Sequence, residues 1–370
     1  MVIPVMNEEQ LPGDHTPKGG VLTILALLFT VHSIISKPCG KNLMSLTPPK
    51  FWEQPDSCLG RLLEPLSWFY QGGAALHQIS SKPYRAGVPV ISIGNLVLGG
   101  AGKTPVTLAL AQHLQAMGRI PHIISRGYGG TLKGPLLVEP VRHLFHQVGD
   151  EPLLLAKTAP TWISKDRRAA VNPAIQSGAD ILLLDDAHQN YTLAKDLSLV
   201  VVDGMQGFGN GRIFPAGPLR QSLKAGLKNI TALIFINQNH DSLPESLPPL
   251  HCPIIHASIV PIDPKPCAVL AFSGIGYPKK FHQTLVAAGY EVKVFAPFPD
   301  HHPYTEEDLR KLQITARGER ACLITTEKDA VRIPAAYRQD VLVLPMRLAF
   351  EPEPEAALKS LLEPFLPPTP

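Results

Sequence analysis

Several things are scarce in this sequence, and each scarcity narrows its chemistry. It has five cysteines, Cys39, Cys58, Cys252, Cys267 and Cys322, scattered along the chain and never in a C-x-x-C pair. That argues against a disulfide framework or a cysteine zinc site and fits a reducing compartment. Charge of one sign is also scarce. A net +3 over 370 residues makes no case for nucleic acid, which asks for a clustered basic face. The one apolar run that could meet a membrane, Val21–Ile35, has 15 residues with His32 inside it. A span needs about 20. Ser36-Lys37-Pro38-Cys39 beyond it is a poor signal-peptide cleavage site. The run therefore reads either as an interfacial or membrane-anchoring segment, or as an upstream extension ahead of an alternative start at Met44. There is no internal repeat.

Proline, by contrast, is abundant, with 38 residues gathered in connecting stretches and at the C-terminus. It marks loops. Residues 51–85 carry Phe51, Trp52, Leu59, Leu62, Leu63, Leu66, Trp68, Phe69 and Tyr70 in helical rhythm. This predicts an amphipathic helix that lies on a core or on a bilayer surface. Strands and helices then alternate: strands at Pro89–Ile93, Pro121–Ser125, Asp180–Leu184, Leu197–Asp203 and Ala232–Asn237, with a helix over Lys103–Met117. Continuous apolar strands between helical stretches describe a mainly parallel sheet covered on both faces, an α/β fold. Ser258–Lys265 reads as a linker. A second αβ series follows, with strands at Cys267–Phe272, Glu291–Ala296, Ala321–Thr325 and Val341–Pro345 and helices at Pro278–Ala288 and Glu306–Arg317.

Gly99-Gly100-Ala101-Gly102-Lys103-Thr104 falls between a predicted strand and a helix, the setting of a phosphate loop. Backbone N–H groups would cradle the β- and γ-phosphates of ATP, Lys103 would neutralise them, and the Thr104 hydroxyl would hold Mg²⁺. The strict pattern places glycine at 97, where this chain has Val97. Ile181–Leu184 ends in Asp185-Asp186, a carboxylate pair for the metal; the sequence leaves open which of the two touches it. Arg126 and Arg167 are suitable fork donors for an acceptor's phosphate.

The ordered motifs resemble the tetraacyldisaccharide 4′-kinase (lipid A 4′-kinase) family. They run from Gly94-Asn95 through the phosphate loop, Ser125–Gly130, Gly149–Pro152, Asp166-Arg167, Asp203-Gly204, Gly207–Arg212 and Pro215–Arg220. Phe272–Ile275, Asp300–Tyr304 and Thr325–Asp329 continue the series, so the likeness extends from about Phe51 to about Leu344. It implies a P-loop NTPase-like domain over 44–262, including the amphipathic helix, and a smaller α/β domain over 263–370. Residues 1–43 form an extension carrying the short apolar segment. It implies an ATP- and Mg²⁺-dependent kinase that phosphorylates the 4′-hydroxyl of a glycolipid, tetraacyl-glucosamine disaccharide 1-phosphate. The product is lipid IVA, in lipid A biosynthesis. The implied location is the cytoplasmic face of a bacterial inner membrane, with no obligate protein partner. By the same resemblance Asp150 is the catalytic carboxylate, His301 its partner from the second domain, and Arg126, Tyr128, Arg167 and Asn210 the acceptor-binding set.

One stretch departs from the family's pattern. Where Gly, an aromatic, Gln and His are usual after the acid pair, with Arg-Asp further on, the chain has Ala187-His188-Gln189-Asn190 and then Lys195-Asp196. A positive φ at residue 187 would cost Ala187 about 1 kcal/mol. The competing readings are a P-loop ATPase or GTPase switch and a catalytically weakened lipid-binding homologue. A deviant-loop ATPase would carry lysine where Leu98 stands, and neither Asn237–His240 nor Thr326–Asp329 supplies a guanine-reading N-K-x-D.

Overall fold

A strand covered on both faces by other elements must be apolar at successive positions, and the first strands here are. The computed structural model describes residues 49–236 and 247–365; Val21–Ile35, Met44 and Asn237–His240 lie outside them. In chain order the elements are α1 (Cys58–Ser80), β1 (Val90–Gly94), α2 (Lys103–Ala116), β2 (Pro121–Ser125), β3 (Leu136–Leu137), α3 (Phe145–Val148) and α4 (Asp150–Leu155). Then come β4 (Thr161–Ile163), α5 (Arg167–Gln176), β5 (Ile181–Leu184), β6 (Leu197–Asp203), α6 (Leu223–Gly226), β7 (Ala232–Ile236) and β8 (Ile254–Pro261). The second series is β9 (Ala268–Ser273), α7 (Pro278–Ala287), β10 (Glu291–Pro297), α8 (Glu306–Gly318), β11 (Cys322–Thr326) and α9 (Glu327–Ala330). It closes with β12 (Val341–Leu344), β13 (Met346–Phe350) and α10 (Pro352–Leu362).

The first sheet has nine strands in the order β13-β8-β7-β6-β1-β5-β2-β4-β3. It is parallel from β8 to β4, with an antiparallel strand at each edge, β13 on β8 and β3 on β4. Alternate residues supply opposite cores. Ile91, Ile93, Leu199, Val201 and Ile234 pack with Val106, Leu110 and Leu114 of α2. Facing the other way, Val90, Leu182 and Leu184 meet Ala170, Val171 and Ala174 of α5, while Val200, Val202 and Phe235 join Leu96 and Phe208. The second sheet is β10-β9-β11-β12, parallel throughout.

The stretch expected as a linker from Ser258 is strand as far as Pro261. Its ladder is completed from far along the chain, since Phe350 pairs with Ala257 and Met346 with Pro261. Leu348, Leu358 and Leu362 then bury against the α2 face of the first sheet. The C-terminal segment thus leaves the second αβ series and returns to the first.

Helix α1 docks by a polar face. Its N-cap Ser57 accepts from Gly60 N, Ser67 Oγ donates to Ile213 O at 2.7 Å, and Glu64 pairs with Arg212 at 2.6 Å. Leu59, Leu62, Leu66, Phe69, Leu76 and Ile79 recur at helical spacing on the other side and stay exposed, Leu62 at 75% and Ile79 at 83%. Of the residues read as its apolar stripe, Tyr70 packs against a core cluster beside Phe214, while most of the rest stay exposed.

Candidate active site

The phosphate loop begins where β1 runs out. Asn95, fully buried, donates its side-chain amide to Val97 O at 2.8 Å and so closes the turn beneath the glycines. Val97 is itself buried beside Phe208 and Leu219, which is why an apolar residue stands where the strict motif has glycine. Gly99 and Gly102 take left-handed backbones, with φ of 110° and 82°. A Cβ on Gly99 or Gly100 would meet no atom within 4 Å, so the loop's outer side is open for a ligand's approach. Gly102 is the N-cap of α2, and the helix N-terminus therefore opens directly behind this loop. Lys103 lies 3.6 Å from Asp186.

The acid pair at the end of β5 is split by its surroundings. Asp185 is buried, with Ser125 Oγ donating to one oxygen at 3.1 Å and Thr107 Oγ1 to the other at 3.4 Å. Burial, with Glu151 and Asp186 nearby, pushes its carboxyl up to about 7. Asp186 goes the other way. Burial opposes ionisation, but Lys103 and then Arg220, which donates to Asp186 at 2.9 Å, hold it well below the ordinary carboxylate range.

Asp186 is also the left-handed residue of this turn, with φ of 44°. Ala187 is buried without a positive φ, so the strain expected there does not arise. The turn is held by cations on successive carbonyls. Arg167 donates to Asp185 O and Asp186 O at 2.9 and 2.8 Å, and Lys195 to Ala187 O and His188 O at 2.7 Å each. His188 reaches Gly226 O at 2.8 Å, and burial together with Lys195 brings it down to about 4, so it is neutral at pH 7.

Across from the loop, Asp150 opens α4. Its Oδ1 accepts from Glu151 N, and its Oδ2 lies 2.8 Å from Nδ1 of His301 and 3.5 Å from Nε of Arg332. Burial raises its pKa, but the bond to His301 and the charges of Lys328 and Arg332 outweigh it and hold the carboxyl at about 2. His301 comes from the second sheet, on the turn after β10, in a left-handed conformation with φ of 57°. The Tyr128 ring stands 5.8 Å from the His301 ring, centroid to centroid. Lys328 pairs with Glu151 at 3.0 Å.

The residues read from sequence therefore gather in two groups: Gly99–Thr104 with Asp185 and Asp186, and Asp150 with His301 and Tyr128. Arg126 is exposed. Arg167 is buried, and the contacts above commit one of its nitrogens to backbone carbonyls. Asn210 spends its amide on backbone, donating to Phe51 O of the N-terminal segment and Ala216 O of its own loop and accepting from Arg212 N. Arg220, Lys195, Lys328 and Arg332 were given no role from sequence. Arg220 ends a quoted motif and Lys328 lies inside another, but no spacing rule ties either to an acidic partner.

The donor set offered to a metal is hard oxygen: the Thr104 hydroxyl and two carboxylates. No cluster of three or more His, Cys, Asp or Glu able to cage an ion occurs among the described residues. Hard oxygen donors suit Mg²⁺, which keeps waters and phosphate oxygens and takes few protein ligands.

A parallel sheet with a phosphate loop after β1 and an acid pair after the neighbouring β5 defines a P-loop nucleotide-binding protein, here with a second α/β sheet joined to it through Asp150, Glu151 and Asp203. Comparison with known proteins narrows the class. The family profile described as tetraacyldisaccharide-1-P 4′-kinase matches residues 59–363, and the chain belongs to that family; it is a kinase. A tetraacyldisaccharide 4′-kinase of Nitrobacter winogradskyi is 45% identical over 326 residues, covering 85% of this chain and 96% of that protein. One of Rhodospirillum rubrum is 46% identical over 316 residues, covering 82% and 93%. The crystal structure of LpxK from Aquifex aeolicus in complex with ATP superposes with a TM-score of 0.69 at 27% identity, covering 84% of this chain and all of that one.

Proposed function

We propose that this chain transfers the γ-phosphate of MgATP to the 4′-hydroxyl of tetraacyl-glucosamine disaccharide 1-phosphate, giving lipid IVA, at the cytoplasmic face of a bacterial inner membrane. The observation that carries the reading is the Asp150–His301 pair, joined at 2.8 Å between the phosphate-loop sheet and the second sheet. Phosphoryl transfer asks a protein mainly for positioning, charge neutralisation and a base at the acceptor hydroxyl. Backbone N–H groups of 99–104 hold the phosphates and Lys103 offsets their charge. Thr104, Asp185 and Asp186 would hold Mg²⁺, which when bound neutralises charge on the β- and γ-oxygens. Asp150, kept ionised, accepts the proton of the acceptor hydroxyl, and His301 orients it.

Arg126 and Tyr128, both exposed at the end of β2, face the acceptor's sugar and phosphate. Arg167 and Asn210, which bind backbone at present, act on the acceptor by shaping the walls around it. The exposed apolar stripe of α1 supports a peripheral seat on the bilayer surface. Among the described residues no helix is long and apolar enough to cross a membrane. A nucleotide switch or a catalytically weakened homologue is not favoured, given the family match.

Incubation with radiolabelled ATP and tetraacyl disaccharide 1-phosphate, resolved by thin-layer chromatography, tests the reading. The expected result is labelled lipid formed one-for-one with ADP. ATP hydrolysis without labelled lipid would overturn it.

A further inference from the structure

The motif Thr325–Asp329 finds no chemical role in the reaction above, yet the residues it leads into are the most deeply buried charges of the second sheet. Arg332 is 1% exposed and Asp329 is fully buried. Asp329 lies in the first turn of α9, whose N-cap Thr326 accepts from its N–H through Oγ1. One oxygen of the same carboxylate accepts from Gly274 N at 2.8 Å, Tyr304 Oη at 2.7 Å and Arg332 at 2.7 Å. Arg332 in turn donates to Gly274 O at 2.9 Å and His302 O at 3.2 Å. These partners lie on the loops that follow β9, β10 and β11, so one buried ion pair ties the C-terminal ends of three parallel strands together. The middle loop is the one that carries His301, whose own N–H donates to Gly274 O at 3.0 Å. The Nε of Arg332 donates to Lys328 O at 3.4 Å and stands 3.5 Å from Oδ2 of Asp150 on α4, an ion pair without a hydrogen bond.

We propose that Arg332 is a positioning residue for phosphoryl transfer, a buried guanidinium that anchors both halves of the Asp150–His301 pair. Through Gly274 and His302 it fixes the left-handed turn that delivers His301. Through Nε it meets the carboxylate that His301 must find. The charged groups facing Asp150 are His301, Lys328, Arg332 and the more distant Asp300 from the second sheet, with Glu151 on its own helix. Of these, Arg332 alone has its charge spread over contacts to both sides of the pair. It touches no substrate and acts only through Asp150 and His301, so the inference rests on Asp150 being the reacting carboxylate.

The test is Arg332→Met, Arg332→Lys and Asp150→Ala, singly and combined, assayed for kcat, for KM of MgATP and for melting temperature. Arg332→Met is expected to lower kcat about 10-fold or more while leaving KM for MgATP within about twofold. In the Asp150→Ala background the same change should cost less than about twofold, because a residue acting through Asp150 has nothing left to position. Arg332→Lys, which keeps a charge without the fork, should recover part of the loss. Should the methionine variant fail to fold, the lysine variant in the two backgrounds makes the same comparison. An equal loss in both backgrounds, or an unchanged kcat, overturns the proposal while leaving Asp150 in place. Wild-type kcat in Asp150→Ala alone overturns the underlying reading of the carboxylate, and the proposal with it.

Discussion

Replacing Asp150 with asparagine removes a charge whose surroundings have been arranged to keep it. The carboxyl falls from 3.8 to about 2 despite its burial, because His301, Lys328 and Arg332 surround it. A fall of that size is worth about 2.4 kcal/mol at about 1.36 kcal/mol per pH unit. The sign follows from linkage: the folded protein binds this proton less tightly than the unfolded chain does. The stabilisation is therefore present in full above about pH 4 and is lost as pH falls through about 2. Asp150→Asn should lower the unfolding free energy by about 2 kcal/mol at pH 7, and by about half that at pH 3. Urea unfolding of both proteins at the two pH values measures the gap. A gap below about 0.5 kcal/mol at pH 7, or one that widens as pH falls, would refute the account. The same residue carries the chemistry, so Asp150→Ala and His301→Ala should each lower kcat by about 10²-fold or more. The double variant should be little worse than the worse single one.

Lys103→Ala should abolish transfer and leave the fold intact but with a lowered melting temperature, since Asp186 loses the first of the charges that keep it ionised; more than a few per cent residual turnover would count against the phosphate loop. Gly102→Ala should cost at least about 1 kcal/mol for the left-handed backbone. Its Cβ would also stand 2.6 Å from Ile236 Cδ1, so weaker ATP binding is expected by calorimetry. On the exposed stripe of α1, the double change Leu62→Glu and Phe69→Glu should weaken sedimentation with phospholipid vesicles while leaving kcat in detergent within about twofold. Unchanged sedimentation would exclude the stripe as the membrane contact.

The parts of the fold that sequence made legible are those whose pattern is local. Strands β1, β5, β6 and β7 are apolar at consecutive positions because α2 and α5 or the loop after β6 cover both faces, and that signal needs no partner to be read. The end of β8 was hidden because Ser258–Lys265 turns to proline and aspartate. It holds as strand through a ladder with β13, a partner far along the chain. The return of β13 and α10 to the first sheet was invisible for the same reason. Met346–Phe350 is largely half-buried, and nothing within the segment says which sheet it joins.

The site divides in a similar way. Gly99–Thr104 and Asp185-Asp186 are legible because a loop that approaches phosphate and a carboxylate at a strand end are demanded by chemistry at fixed local spacing. The Asp150–His301 pair, 151 positions apart, came only through resemblance. Arg167 and Asn210 have the right donors for an acceptor, but composition cannot say where donors point, and here they close backbone turns. What no motif disclosed is the sorting of charge between the two sheets. The first presents acids, Asp150 and Glu151 at the start of α4 and Asp203 at the end of β6; the second answers with His301, Lys328, Arg332 and Lys280, the last paired with Asp203. Each pair is buried or half-buried, so leaving either member alone is costly, and the geometry that satisfies the charges is the one that brings His301 to Asp150. Electrostatic closure and assembly of the candidate base are in this sense one event, which is why a buried arginine that contacts no substrate is expected to register in kcat.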